Sequence, residues 1–256
     1  MKSAIQLWLQ KIFGYERYLY FFGIFSVWRY RLNWKKEEFG FFIDMISKVE
    51  GKLLLDIGGN IGVTATILAK AFPEKKIYSF EPVIASFKTS VDILSLFSVK
   101  NAFPHKAAVG DESGKVEIIT PIIDGVVKQG LSYIKHKVDC KAHLNKGAFI
   151  SEDIVMVRLD DFVPSLTSTE KVAGIKIDVE NSELFVFKGG ATVLAEHRPI
   201  IFAEMWENER KMECFNLMES YGYAVKVFFA GKLAAPSVVR ALNYFFIPNE
   251  LVDKFI

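Results

Sequence analysis

Cysteine is nearly missing from this chain. Two occur in 256 residues, Cys140 and Cys214. They lie far apart and in no CxxC or zinc spacing, which excludes a disulfide scaffold and leaves two reduced thiols as the expectation. An excess of one charge is missing too. Lys+Arg 32 against Asp+Glu 30 supplies no global field to gather nucleic acid, and no nucleic-acid partner is expected. Gly 17 and Pro 8 are too few for collagen or a low-complexity tract. No early apolar run is long enough to span a bilayer: Tyr18 to Trp28 is about half that length. The first residues lack the apolar centre and small-residue cleavage site of a secretory signal. The expected location is therefore the cytoplasm, with contact at the membrane periphery as a second reading.

What is present is apolar and aromatic. Hydrophobic residues make up 51% and aromatics 14% of the chain, and mean hydropathy is +0.21. That is enough to bury a sizeable core. Arg17, Arg29 and Arg31 flank the run from Tyr18 to Trp28. The run reads first as a helix packed on the core or at a dimer seam, and second as an interfacial helix resting on a membrane. A homo-oligomer stays open.

Residues 1–50 read as a helical extension, and residues 51–256 as one α/β domain. Strands are predicted at Leu53–Ile57, Ile77–Phe80, Phe103–Val109, Val116–Thr120, Ile154–Leu159, Ile175–Val179 and Ile200–Met205. Helices are predicted at Val63–Phe72, from Pro82 to about Val99, and from Glu183 to Gly189-Gly190. Tyr223–Phe229 and Leu242–Ile247 finish the sheet, with Gly231-Lys232-Leu233 between them suggesting a terminal antiparallel hairpin. This pattern specifies helices layered on a mostly parallel sheet, whose ligands bind at the carboxyl ends of the strands.

Motifs occupy those ends. Asp56-Ile57-Gly58-Gly59-Asn60-Ile61-Gly62 joins the first strand to its helix. Glycines permit positive φ and close ligand approach. GxGxxG is broken at Asn60, so this is no dinucleotide fingerprint. Asp56 would attract an ammonium and the turn amides a carboxylate, which describes the methionine end of S-adenosylmethionine. Glu81, in Phe80-Glu81-Pro82, offers two acceptors to the vicinal hydroxyls of a ribose. Ala107-Ala108 leaves room for an adenine ring. Residues 121–150, polar and lysine-rich, read as a lid, with Gly130-Leu131-Ser132 near the adenine or the acceptor. His136, Cys140 and His143 come near a metal spacing within it, but no metal is expected there. Asp160-Asp161 reads as a helix N-cap.

Alternation puts Lys176, Asp178 and Glu180 on one face of their strand and its exit. Asp178 or Glu180 is the candidate to orient or deprotonate an acceptor hydroxyl, and Glu204 is a third acid near the same rim. A divalent cation held by the three is the alternative, not the expectation.

In order and spacing, the glycine turn, Phe80-Glu81-Pro82, Leu159-Asp160-Asp161 and Ile175-Lys176-Ile177-Asp178-Val179-Glu180-Asn181-Ser182-Glu183 resemble the FkbM family of S-adenosylmethionine-dependent methyltransferases over about residues 51–206. The resemblance implies a class I methyltransferase fold with a seven-stranded sheet and O-methylation of sugar or polyketide-like hydroxyls. It implies S-adenosylhomocysteine as the other product, and Asp56, Gly58, Gly62 and Glu81 as cofactor contacts. Gly59, Asn60 and Ala108 join them from the reading of the turns. One departure is Asn181, where the family usually has glycine; Asn tolerates the left-handed φ such a turn needs. Two other function classes stay open: a dinucleotide oxidoreductase, and a binding scaffold without catalysis. The expected acceptor is a small molecule, a glycan or a lipid-linked glycan.

Overall fold

The computed structural model describes residues 2–33, 38–135, 148–166 and 170–255. Three helices come first: α1 (Lys2–Phe13), α2 (Tyr15–Asn33) and α3 (Glu38–Ile46). Then follow β1 (Leu53–Ile57), α4 (Val63–Ala71), β2 (Lys76–Phe80), α5 (Ile84–Leu96) and β3 (Ala102–His105). Next come five strands, β4 (Ala108–Val109), β5 (Gly114–Ile123), β6 (Val126–Val127), β7 (Tyr133–Ile134) and β8 (Phe149–Val157). The rest is α6 (Leu159–Leu166), β9 (Val172–Ile177), α7 (Glu183–Gly189), α8 (Ala191–His197), β10 (Ile200–Glu204), α9 (Glu209–Ser220), β11 (Tyr223–Phe229), β12 (Lys232–Ala234) and β13 (Asn243–Pro248).

The main sheet runs β12-β11-β13-β10-β9-β1-β2-β3. Strands β10, β9, β1, β2 and β3 are parallel; β13 runs antiparallel to β10, and β11, antiparallel to β13, runs in the direction of the five. All five residues of β1 are buried, as a sheet covered on both faces requires. Leu53, Leu55 and Ile57 point into one core with α6 to α9. Leu54 points into the other, with Phe39, Phe42 and Ile43 of α3 and Ala65 and Leu68 of α4. Period-2 alternation thus divides one apolar run between two cores.

Four strand expectations need correction. The sheet has eight strands, not seven, because Lys232–Ala234 adds an edge strand to β11 through the Ala230-Gly231 bend. The single strand expected at Phe103–Val109 is two. β3 ends at His105, whose carbonyl oxygen accepts from both Glu81 and Ala107, and β4 leaves for a second sheet. That sheet, β4-β8-β5-β6 with β7 on β5, takes in the strands expected at 116–120 and 154–159. Apolar alternation marks a strand without naming its sheet. Leu159 opens α6 instead of ending a strand. Helices α8 and α9 have no counterpart in the sequence reading. The N-cap of α9, Asn208, accepts from the backbone of Lys211, and that Asn was the available signal.

The inner face of α2 packs on the domain. Tyr18 and Leu19 are buried against Ile61 of the glycine turn, and Gly23 allows close approach to Ile93 of α5. No helix among the described residues is long and apolar enough to cross a membrane. Cys214 is buried as a free thiol; Cys140, with His136 and His143, lies outside the described residues.

Candidate active site

Strands β1, β2 and β3 run to one side and β9 to the other, so the chain reverses its order between β1 and β9. Sheets of this kind leave a crevice at that point. A cavity opens there, lined by Gly58 and Asn60 after β1, Glu81 after β2, and Asp178 and Glu180 after β9. Ala107 and Ala108 form its floor, and Gln129, Gly130 and Ser132 form a wall.

The glycine turn is held by its own backbone. Gly58 and Gly59 both donate to the Phe80 carbonyl, at 3.0 and 2.9 Å, and Gly62 donates to Gly59 at 2.9 Å. The Asn60 amide donates to Glu81 Oε2 at 2.8 Å. These four amides are therefore spent, and the expected capture of a carboxylate by the turn amides does not fit them. Gly58 is required by packing. It sits at φ 78°, and a Cβ there would lie 1.8 Å from the Asp178 carbonyl oxygen. A Cβ on Gly59 would meet Ser79 Oγ at 2.0 Å. Gly62, at φ 80°, abuts Ser90 of α5. Gly59 and Gly62 thus shape the turn from behind rather than from the cavity side.

Asp56 is also placed away from the expected ammonium. It is fully buried and does not line the cavity. The register explains this: Asp56 stands opposite Ser79 on one side and Lys176 on the other. Its carboxylate accepts from Ser79 Oγ at 3.0 Å and Thr64 Oγ1 at 3.0 Å. Lys176 Nζ lies 3.5 Å from Asp56 Oδ1 and 3.4 Å from Asp178 Oδ2, and donates to the Gly58 carbonyl at 2.7 Å. Burial works against the Lys176 charge, but Asp178 and Asp56 outweigh it and raise its pKa. Lys176 thus organises the ends of β1 and β9. A lysine inside a buried apolar strand was the signal, since such a charge demands partners.

Glu81 faces the cavity although it is buried. Its Oε1 accepts from the Val83 amide at 2.9 Å, as Oε2 does from Asn60. Burial raises its pKa to about 7, against the pull of those two amides and of Lys176. Asn60 has φ 46°, and its buried Oδ1 has no hydrogen-bond partner among the described residues. Buried acceptors are normally satisfied, so an orphan on a cavity wall is an opening for a ligand donor. The residues present therefore fit a nucleoside ligand: a carboxylate at the second strand end, a spare acceptor at the first, and small Ala107 and Ala108 below.

Asp178 and Glu180 reach this same cavity; Glu204 does not line it. Burial raises Glu180 to about 8, with further pressure from Asp178 and Glu204, and a hydrogen bond with Trp206 opposes the shift. Glu183 is raised to about 8, again chiefly by burial. Glu204 is raised by burial and then by Asp178. Among the described residues no three acids, histidines or cysteines come together to hold a metal ion. The turn that carries Glu180 closes from Ser182 N to Val179 O at 2.7 Å. Asn181 takes φ 60° in it, the left-handed conformation expected of the residue replacing glycine. Its side-chain oxygen accepts from Asn208, and its carbonyl accepts from Arg210 at 3.2 Å. The N-terminus of α9 thus supports the turn. Asp160 is a cap, though for a different helix: its Oδ1 accepts from Val193 in α8 at 3.0 Å. Trp206 and Gln129 are site residues that motif reading missed, because neither belongs to a motif.

The comparisons agree with this geometry. A family model described as the methyltransferase FkbM domain matches residues 56–225. "Methyltransferase 1" of Beauveria bassiana (strain ARSEF 2860) is 25% identical over 191 residues, covering 70% of this chain and 74% of that protein. The crystal structure of a methyltransferase FkbM from Methylobacillus flagellatus KT aligns with a TM-score of 0.50 at 14% identity. That alignment covers 77% of this chain and 43% of the other, so this chain spans less than half the length of that solved protein, and the likeness speaks for the fold. The match of the family model to most of the chain, over a class I α/β sheet, makes this chain a member of the FkbM family of S-adenosylmethionine-dependent methyltransferases.

Proposed function

We propose that this chain methylates a hydroxyl group on a sugar, glycan or glycolipid-type acceptor. The observation that carries the reading is that Asp178 and Glu180 line the same cavity as Gly58, Asn60 and Glu81. Residues suited to hold a nucleoside and residues suited to handle a proton thus share one space. S-adenosylmethionine, when bound, supplies an electrophilic methyl group on a sulfonium. The chain's own part is to hold the reactants in line and to receive the hydroxyl proton. Glu81 is the acceptor for ribose hydroxyls, and Asn60 Oδ1 takes a further ligand donor. Glu180 Oε is the proton acceptor. Its raised pKa makes it a stronger base than an ordinary carboxylate, and one that is ionised in a useful fraction near pH 8. Asp178 stays tied to Lys176 and keeps a negative field beside Glu180.

Calorimetry with S-adenosylmethionine and S-adenosylhomocysteine, followed by transfer of a labelled methyl group to a panel of sugars and glycolipids, tests this. Binding of both compounds with label appearing as a methyl ether is expected. Label on an amine or a thiol, with none on any hydroxyl, rejects the acceptor class. A folded protein that binds neither compound rejects the reading altogether.

A further inference from the structure

The outer face of the first two helices serves none of the chemistry above. Along α1, Ile5, Trp8 and Ile12 are 55%, 62% and 54% exposed. Along α2, Phe21, Phe25, Trp28 and Leu32 are 53%, 61%, 54% and 84% exposed. Spacings of three and four put each set on one helical stripe. The stripes meet where the rings of Phe13 and Phe21 touch, with centroids 5.7 Å apart. Leu9, Phe13, Phe22 and Phe25 line an apolar groove between the helices. A continuous exposed apolar patch of this kind marks a surface that meets another apolar phase.

Charge decides which one. Residues 2–33 carry Lys2, Lys11, Arg17, Arg29 and Arg31 against the single acid Glu16. Helical geometry sets Arg17 and Arg29 on the two margins of the α2 stripe, and the Arg31 guanidinium stacks 5.4 Å from the Trp28 ring. Pairing this face with its own copy would set like charges against each other. An anionic lipid surface complements it, and tryptophan with basic margins is the composition of an interfacial helix.

Helix α1 is also coupled to the active site, through its side turned away from the exposed stripe. The Gln10 amide brackets the backbone of Val127 in β6, donating to its oxygen at 3.4 Å and accepting from its nitrogen at 3.2 Å. Lys128 Nζ donates to Gln6 Oε1 at 2.6 Å. The next residues, Gln129 and Gly130, are cavity wall. We infer that the α1–α2 face docks on an anionic membrane surface and holds the cavity wall of Gln129 and Gly130 beside it. The acceptor class is then an amphiphile whose hydroxyl stands at the lipid headgroups. The docking stands by itself; the acceptor class rests on the methyl-transfer reading.

The test is flotation of the full chain with two vesicle types, pure phosphatidylcholine and equal parts phosphatidylcholine and phosphatidylglycerol. Preferential binding to the anionic vesicles is expected. Phe25→Ser should weaken it about tenfold, from the apolar area lost. Arg17→Gln with Arg29→Gln should weaken binding to anionic vesicles alone, by about thirtyfold. These side chains are exposed, and circular dichroism with a thermal melt reports whether the parent and each variant are folded. No flotation of a chain that binds the nucleoside overturns the docking and leaves the methyl-transfer reading standing. Flotation without nucleoside binding supports the docking and rejects that reading. Phe25→Ser floating like the parent, or dissolving a dimer seen by equilibrium sedimentation in the absence of lipid, assigns the face elsewhere and overturns the inference.

Discussion

Lys176 Nζ reaches from β9 to the carbonyl oxygen of Gly58 at the end of β1, at 2.7 Å. This contact joins the strand ends on either side of the crevice. It also places a cation between Asp56, which is wholly buried, and Asp178, which lines the cavity.

Lys176→Met should therefore be costly. It leaves the buried Asp56 carboxylate without its cation and the Gly58 carbonyl without its donor. Removing one partner of a buried pair costs about 3–5 kcal/mol. Urea unfolding measures it, and a loss below about 1 kcal/mol would show that the pair is dispensable.

Glycine 58 and glycine 231 make a matched comparison. Both have positive φ, 78° and 84°, but only Gly58 would press a Cβ onto backbone; Gly231 has open space. Gly231→Ala should cost only the left-handed strain, about 1–2 kcal/mol. Gly58→Ala should cost distinctly more and abolish nucleoside binding, because Asp178 must move. Thermal melts and calorimetry of the two variants distinguish packing from conformational strain.

Asn60→Gly separates ligand contact from folding. Glycine accepts the φ of 46° without strain while removing the orphan Oδ1. Nucleoside affinity should fall about three- to tenfold, the worth of one hydrogen bond, with no loss of melting temperature. Unchanged affinity would mean that the oxygen faces no ligand group.

Glu180→Gln should lower kcat about a hundredfold or more, the usual scale for a proton acceptor, with nucleoside affinity retained. In the parent, kcat should rise with pH through about 8 as Glu180 ionises; the variant should lose that rise. A parallel pH profile in both proteins would assign the ionisation to another group.

The same carboxyls make stability depend on pH. Glu81, Glu180 and Glu183 are raised from the ordinary 4.5 to about 7, 8 and 8. Between those values the folded state keeps protons that the unfolded chain has released. Stability therefore falls as pH rises through that window. Melting at pH 5.5 should exceed melting at pH 8 by several degrees in the absence of ligand. The opposite slope would place these acids in a more polar setting than their burial gives.

Much of this protein was legible from residue order alone. Leu53–Ile57 before a glycine turn, Phe80-Glu81-Pro82 after the next strand, and the acids following Ile175 specify both a parallel α/β sheet and the ends where its ligands bind. Local propensity and alternation carry that information along the chain, which is why the family and most elements could be read without coordinates. Asp56 is the instructive exception. Its place in the motif pointed to a ligand, but Ser79 and Lys176 arrive beside it from two other strands and bury it. The second sheet, the place of Gln129 on the cavity wall, and the fixing of Asn181 by Asn208 were equally out of reach. Each depends on register and packing between segments far apart in the chain, and no local periodicity encodes which distant strand or helix will supply the neighbour.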